Sequence, residues 1–190
     1  MRFYNRLGSI YVLIDKWLMP SKQRLIDYVN EQSPKEVLDF GMGRGAWWQH
    51  INENKVSLTG IDTSDFMVKY AKSKYPNKHI LLSKSIRLPL ADASFDMVIL
   101  AHVLSVVKDP TGILNEAYRV LKPEGTLIII NHDSTNFKFI DALLGIFSRL
   151  VRVQLPFYIS EYIDQSKWRW MEIKAFGRFS YFNWVTLLKV

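Results

Sequence analysis

The chain of 190 residues contains no cysteine. That excludes disulfides, thiolate metal sites and a cysteine nucleophile, and it leaves the redox compartment open. No apolar run approaches the roughly 18 to 20 residues of a membrane span. The stretch Ile10 to Ile14 is cut short by Asp15 and Lys16, so a secretory signal is not expected and a cytoplasmic protein is. Internal repeats, low-complexity tracts and obvious linkers are missing too, and one domain over residues 1–190 is the expectation. Acidic charge is scarce: 18 Asp and Glu face 25 Lys and Arg, a formal +7. A basic balance suits anionic partners, whether nucleic acid, an acidic membrane surface or acidic substrates. Hydrophobic residues, by contrast, make up 48% of the chain, far too many for a disordered one.

The most informative stretch is Val37-Leu38-Asp39-Phe40-Gly41-Met42-Gly43-Arg44-Gly45. An apolar run ends in an acid, three glycines alternate, and a short helix is predicted over Ala46 to Asn52. Such a turn lets backbone approach a ligand closely, because side chains there would block it. Gly41, Gly43 and Ala46 also satisfy the dinucleotide pattern G-x-G-x-x-G/A, so the turn alone leaves NAD open. Asp62, 17 positions after Gly45, ends a second strand, Val56 to Ile61, where a carboxylate can accept both hydroxyls of a ribose; NAD would use the same acid, and a helix-capping acid is the lesser alternative.

Apolar runs suited to buried parallel strands alternate with helical segments. Glu36 to Phe40, His79 to Leu82, Phe95 to Leu100 and Thr126 to Ile130 read as further strands. Thr63 or Ser64 caps a helix to about Ser73, and Asp109-Pro110 starts another. Phe137 to Arg152 looks helical, while Glu172 to Ala175 and Tyr181 to Lys189 read as two strands. The expected fold is α/β: a doubly wound, seven-stranded, mainly parallel sheet with a C-terminal antiparallel hairpin. Residues 1–30 would form a helical segment, 35–132 the core, and 133–190 the substrate side.

Three ordered blocks carry a family resemblance. The glycine turn resembles the first motif of class I S-adenosylmethionine-dependent methyltransferases. Leu88-Pro89-Leu90-Ala91-Asp92-Ala93-Ser94-Phe95-Asp96-Met97-Val98 resembles the L-P-F-x-D-x-S-F-D-x-V block of the UbiE-like, methyltransferase type 11 group. Asp109-Pro110, then Glu116-Ala117-Tyr118-Arg119-Val120-Leu121-Lys122-Pro123-Glu124-Gly125-Thr126, resembles its D-P … E-x-x-R-V-L-K-P-G-G block. The resemblance implies S-adenosylmethionine as cofactor and S-adenosylhomocysteine as product. Asp39, Gly41, Gly43 and Gly45 would then face the methionine part and Asp62 the ribose, with Ala101 after the fourth strand also at the cofactor. Two departures stand out. Lys84 and Ser85 replace the family's acid and alanine at the adenine amino group; lysine donates only, so a Ser85 oxygen or a backbone carbonyl would have to serve. Arg44 replaces a small residue and would point to solvent or to an anionic substrate group.

For the acceptor, short matches resemble small bacterial PmtA-like phosphatidylethanolamine N-methyltransferases: Tyr11, Asn131-His132, and Gly177-Arg178-Phe179 before the final strand. They imply an ethanolamine head-group amine at a membrane surface, with quinone rings and other small amphiphiles as the alternative. His102, His132 and Tyr11 are the catalytic candidates. A histidine can take a proton near neutral pH and an aromatic ring can face a cation, though structural roles suit all three. Residues 2 to 18 show apolar groups at helical spacing with Arg2, Arg6 and Lys16, fitting either peripheral contact with an anionic membrane or a lid. Six tryptophans also suit base stacking, but no Asn-Pro-Pro-Tyr-like motif follows the fourth strand, which disfavours nucleic acid. A monomer or weak dimer is expected. A nicotinamide oxidoreductase and an inactive cofactor-binding module are the rivals.

Overall fold

The computed structural model describes residues 22–132, 158–176 and 182–190. The amphipathic stretch 2–18 with Tyr11, the predicted helix 137–152 and the Gly177–Phe179 match lie outside the described residues. Helix α1 spans Lys22–Gln32, and α2 and α3 span Asp65–Lys74 and Pro110–Val120. The strands are β1 Glu36–Phe40, β2 Ser57–Asp62, β3 His79–Leu82, β4 Phe95–Ala101, β5 Leu121–His132, β6 Trp168–Phe176 and β7 Phe182–Lys189. Their order in the sheet is β3-β2-β1-β4-β5-β7-β6, the seven-stranded, mainly parallel arrangement expected. The chain divides into two compact units, Met1–Leu88 and Pro89–Val190.

In Met1–Leu88, β1 pairs parallel with β2, and β2 with β3. Val37, Leu38, Asp39 and Phe40 are all buried; an unbroken buried run is what a parallel strand covered on both faces requires. Helix α1 buries Leu25, Ile26 and Val29 on one side. Its Asn30 side chain donates to the His50 carbonyl (3.1 Å) and accepts from the Asn52 amide (3.1 Å), which ties the helix to the segment after the glycine turn. Ser64 caps α2 as expected, its hydroxyl accepting from the Met67 amide. The predicted helix over Ala46 to Asn52 is reduced to one 3₁₀ turn, Trp48–His50. The cause is local: Gly45 has φ +62°, and Trp47 and Trp48 turn their indoles inward to Asp39 rather than outward along a helix.

In Pro89–Val190, β4 pairs parallel with β5, and β7 pairs antiparallel with both β5 and β6. The C-terminal antiparallel pair is therefore present, its first strand beginning at Trp168 rather than Glu172. Asp109 caps α3 by accepting from the Gly112 amide (2.8 Å), with Pro110 in the first turn. A Cβ at Gly112 would lie 2.3 Å from Asp109 Oδ2, so the capping carboxylate would have to shift to admit one. Arg119 is clamped between Glu116 and Asp92 and donates to the Leu90 carbonyl (2.9 Å). Lys122 reaches Asp96 at 2.7 Å. The two sequence blocks of this unit thus bind each other.

Candidate functional site

The glycine turn is built from the strand end upward. Gly41 and Met42 donate their amides to the Ile61 carbonyl (2.8 and 3.0 Å), which folds the turn over the end of β2. Gly41, Gly43 and Gly45 hold φ of +86°, +55° and +62°, a region that residues with a Cβ rarely enter. They differ in what surrounds them. A Cβ on Gly45 would meet Trp48 at 2.9 Å, so that glycine serves packing. Among the described residues, a Cβ on Gly43 would meet nothing within 4 Å, which leaves room there for a ligand.

Asp39 sits beneath this turn, 1% exposed. Trp47 and Trp48 both donate their indole N–H to Oδ2, at 2.8 and 2.7 Å. Burial raises its pKa to about 7; the two indoles pull against that rise and the charge of Asp62 adds to it. Gly60 on β2 completes the packing, because any Cβ there would lie 2.3 Å from Trp48. Trp47, Trp48 and Gly60 are functional-region residues that sequence reading missed. The signal was available: two adjacent tryptophans within reach of a buried acid need an acceptor for their N–H groups.

Asp62 closes β2 and organises both sides of itself. Oδ2 accepts from the Gly43 amide at 2.9 Å and Oδ1 from the Ser64 amide at 2.8 Å. Its pKa is raised by burial, against these backbone hydrogen bonds. The capping reading and the ligand reading of Asp62 are therefore compatible: it holds Gly43 and the entry to α2, and a carboxylate has lone pairs left for hydroxyls. Asp62 suits the ribose diol of S-adenosylmethionine and of a dinucleotide alike. Asp39, an acid beneath the turn that a nearby cation would draw to its ionised form, suits a cationic centre and opposes a pyrophosphate. The residues present thus fit S-adenosylmethionine and disfavour NAD.

The adenine-side departures also have definite positions. Ser83 donates its amide to the Asp62 carbonyl (3.1 Å) and its hydroxyl to the Ser85 carbonyl (3.1 Å). Lys84 pairs with Asp65, in the first turn of α2, at 3.5 Å. Arg44 lies over the Tyr70 ring, 5.3 Å from its centroid, packed on the surface of α2.

In Pro89–Val190, Ala101 is the last residue of β4 and His102 follows it with φ +59°. A non-glycine residue in this region carries strain. The His102 amide donates to the Ile130 carbonyl at 2.6 Å, which holds the conformation. Its ring meets Phe182 edge-on, centroids 5.5 Å apart. Asn131 is buried, and β5 pairs Asn131 with Asn183 and His132 with Phe182. His102, Asn131 and Phe182 are thus gathered at one end of this unit's strands, and His132 closes β5 there. Phe182 was absent from the sequence reading, since a strand-initial phenylalanine reads simply as core. Among the described residues no group of acids and histidines has metal-ligand geometry.

Residues 38–129 match a family described as "Methyltransferase domain". A demethylmenaquinone methyltransferase of Thermotoga maritima is 27% identical over 164 residues, covering 83% of this chain and 71% of that protein. Another of the same name, from Tropheryma whipplei, is 30% identical over 147 residues, covering 73% of this chain and 61% of its own length. The solved structure of an S-adenosylmethionine-dependent methyltransferase from Aquifex aeolicus shares the fold with a TM-score of 0.66 at 22% identity, over 94% of this chain and 98% of that one. With the glycine turn, the acid at the end of β2 and the strand order all in place, the chain belongs to the class I S-adenosylmethionine-dependent methyltransferases.

Proposed function

We propose that the protein transfers a methyl group from S-adenosylmethionine to a quinone-like ring acceptor. The observation that supports this acceptor is the likeness to the two demethylmenaquinone methyltransferases over most of the chain. It replaces the ethanolamine phospholipid expected from the short PmtA-like matches, two of which, Tyr11 and Gly177–Phe179, fall outside the described residues. Peripheral membrane contact is likewise only an expectation; among the described residues no helix is long and apolar enough to cross a membrane.

When bound, the cofactor supplies an electrophilic methyl group on a sulfonium. The chain's own part is to bind, orient and manage one proton. Asp62 accepts from the ribose hydroxyls, Gly43 leaves room for the backbone to approach, and Asp39, beneath the turn, is drawn to its ionised form when a cationic ligand binds. Gly41 and Gly45 keep that turn closed, while Ser85 and Ala101 remain proposed cofactor neighbours. A reduced quinone becomes a better carbon nucleophile when one ring hydroxyl loses its proton, because the oxygen then feeds electron density into the ring. The ring carbon gains the methyl as the methyl–sulfur bond breaks, then gives up its own hydrogen as a proton while the oxygen is reprotonated, so one proton is released overall. His102, held rigidly after β4, is the proposed acceptor of the hydroxyl proton; His132 is the second candidate and Tyr11 the third.

The test is incubation with methyl-labelled S-adenosylmethionine and either a demethylated naphthoquinol or an ethanolamine phospholipid. Label in the quinol alone is expected. Label in the phospholipid would overturn the acceptor, and none in either, with cofactor binding intact, would overturn the transfer itself.

A further inference from the structure

The exits of β2 and β3 carry a polar pair that the reading above does not use. The Ser83 amide is bound to the Asp62 carbonyl, which fixes the β3 exit beside the acid proposed to hold the ribose. One residue on, Lys84 Nζ lies 3.5 Å from Asp65 Oδ2, both side chains about half exposed (55% and 50%). The apolar neighbours of this pair in sequence are unusually uncovered: Phe66 is 40% exposed, Leu82 41% and Ile86 39%. A nucleoside whose ribose is held by Asp62 and whose other end follows the glycine turn extends its base away from that turn. There it needs apolar surface for its faces and polar groups for its edge.

We infer that Lys84 and Asp65 together read the base edge of the cofactor. This rests on Asp62 being its ribose ligand. Adenine presents an acceptor, N1, beside a donor, the 6-amino group. A lysine and a carboxylate in contact present the complement, with Lys84 donating to N1 and Asp65 accepting from the amino group. The other acceptor in this segment, the Ser85 carbonyl, has one of its two lone pairs engaged by the Ser83 hydroxyl, whereas the Asp65 carboxylate offers more acceptor capacity beside its lysine. Lysine at position 84 is therefore no loss of recognition: the carboxylate has moved to the first turn of α2 and the lysine supplies the donor. A 6-oxo base reverses both polarities, placing an oxygen against Asp65 and an N–H against Lys84, and is rejected.

Calorimetric titration with S-adenosylhomocysteine and its 6-oxo analogue, S-inosylhomocysteine, tests this in the parent protein, Asp65→Asn, Lys84→Met and Asp62→Ala. The parent should prefer the adenosyl compound. Asp65→Asn should weaken the adenosyl compound by about tenfold, the usual worth of a hydrogen bond to a charged group, and narrow the preference. Lys84→Met should cost a few-fold, in the same direction. Asp62→Ala should weaken both compounds alike, because the ribose is common to them. Parent-like affinities and preference in Asp65→Asn and Lys84→Met, with Asp62→Ala impaired, would overturn the base-edge assignment alone. Failure of the parent to bind either compound would overturn the methyltransferase reading and this inference with it.

Discussion

The glycine turn of residues 37–45 and the paired blocks between residues 88 and 126 are equally conspicuous as motifs, yet their polar groups are disposed in opposite ways. In the blocks, Asp92, Glu116, Arg119, Asp96 and Lys122 are engaged with one another. At the turn, no described residue fills the space at Gly43, and Asp62 uses backbone amides that leave lone pairs over. The first is a clamp that ties two blocks of the fold together; the second leaves the acceptor capacity and room that the proposed cofactor site needs. Similarity of sequence does not separate these roles, but the accounting of hydrogen bonds does.

The largest effect expected from breaking this contrast is on the clamp. Glu116 is 5% exposed and engages Arg119 with both oxygens. Removing the guanidinium strands a buried carboxylate, so Arg119→Ala should lose about 3 to 5 kcal/mol of stability in denaturant unfolding. A loss under 1 kcal/mol would mean that the blocks are not scaffold.

Next comes the turn's own buried acid. Because burial raises Asp39 from 3.8 in the unfolded chain to about 7, the folded state binds the extra proton between those values. Its contribution to stability is fully present below about pH 4 and is lost as pH rises through 7. Asp39→Asn keeps an acceptor for both indoles and removes the titration. Urea unfolding across pH 5 to 8 should show the parent declining relative to the variant, by on the order of a few kcal/mol in all. Parallel curves would show that Asp39 does not titrate in this range.

The smallest effect is at the β4 exit. Replacing His102 (φ +59°) by glycine should relieve backbone strain and raise stability by roughly 1 kcal/mol, while methyl transfer falls. Unchanged transfer rates would remove His102 from the chemistry.

Much of this was legible in the chain. The bounds of β1 and β3 and both helix caps follow from apolar runs and capping residues, because those signals are local. The short helix after the turn was misread because its decisive interaction is not periodic: two indoles bind an acid eight and nine residues earlier. The start of β6 was missed because Trp168, Arg169 and Trp170 mix bulk with charge, and a bulge near Trp170 breaks the alternation. At the site, Asp62 and the glycines announce themselves by spacing, whereas Asp65 acquires its meaning only from Lys84, which the β3 exit brings to it.

The most direct measurement is S-adenosylhomocysteine affinity in the parent and in Asp62→Ala, with melting temperatures recorded alongside. The parent should bind, and the variant should bind about 1.5 to 3 kcal/mol more weakly, the worth of hydrogen bonds to a charged group. Equal affinities in two folded proteins would contradict the assignment of the glycine turn and Asp62 as the cofactor site.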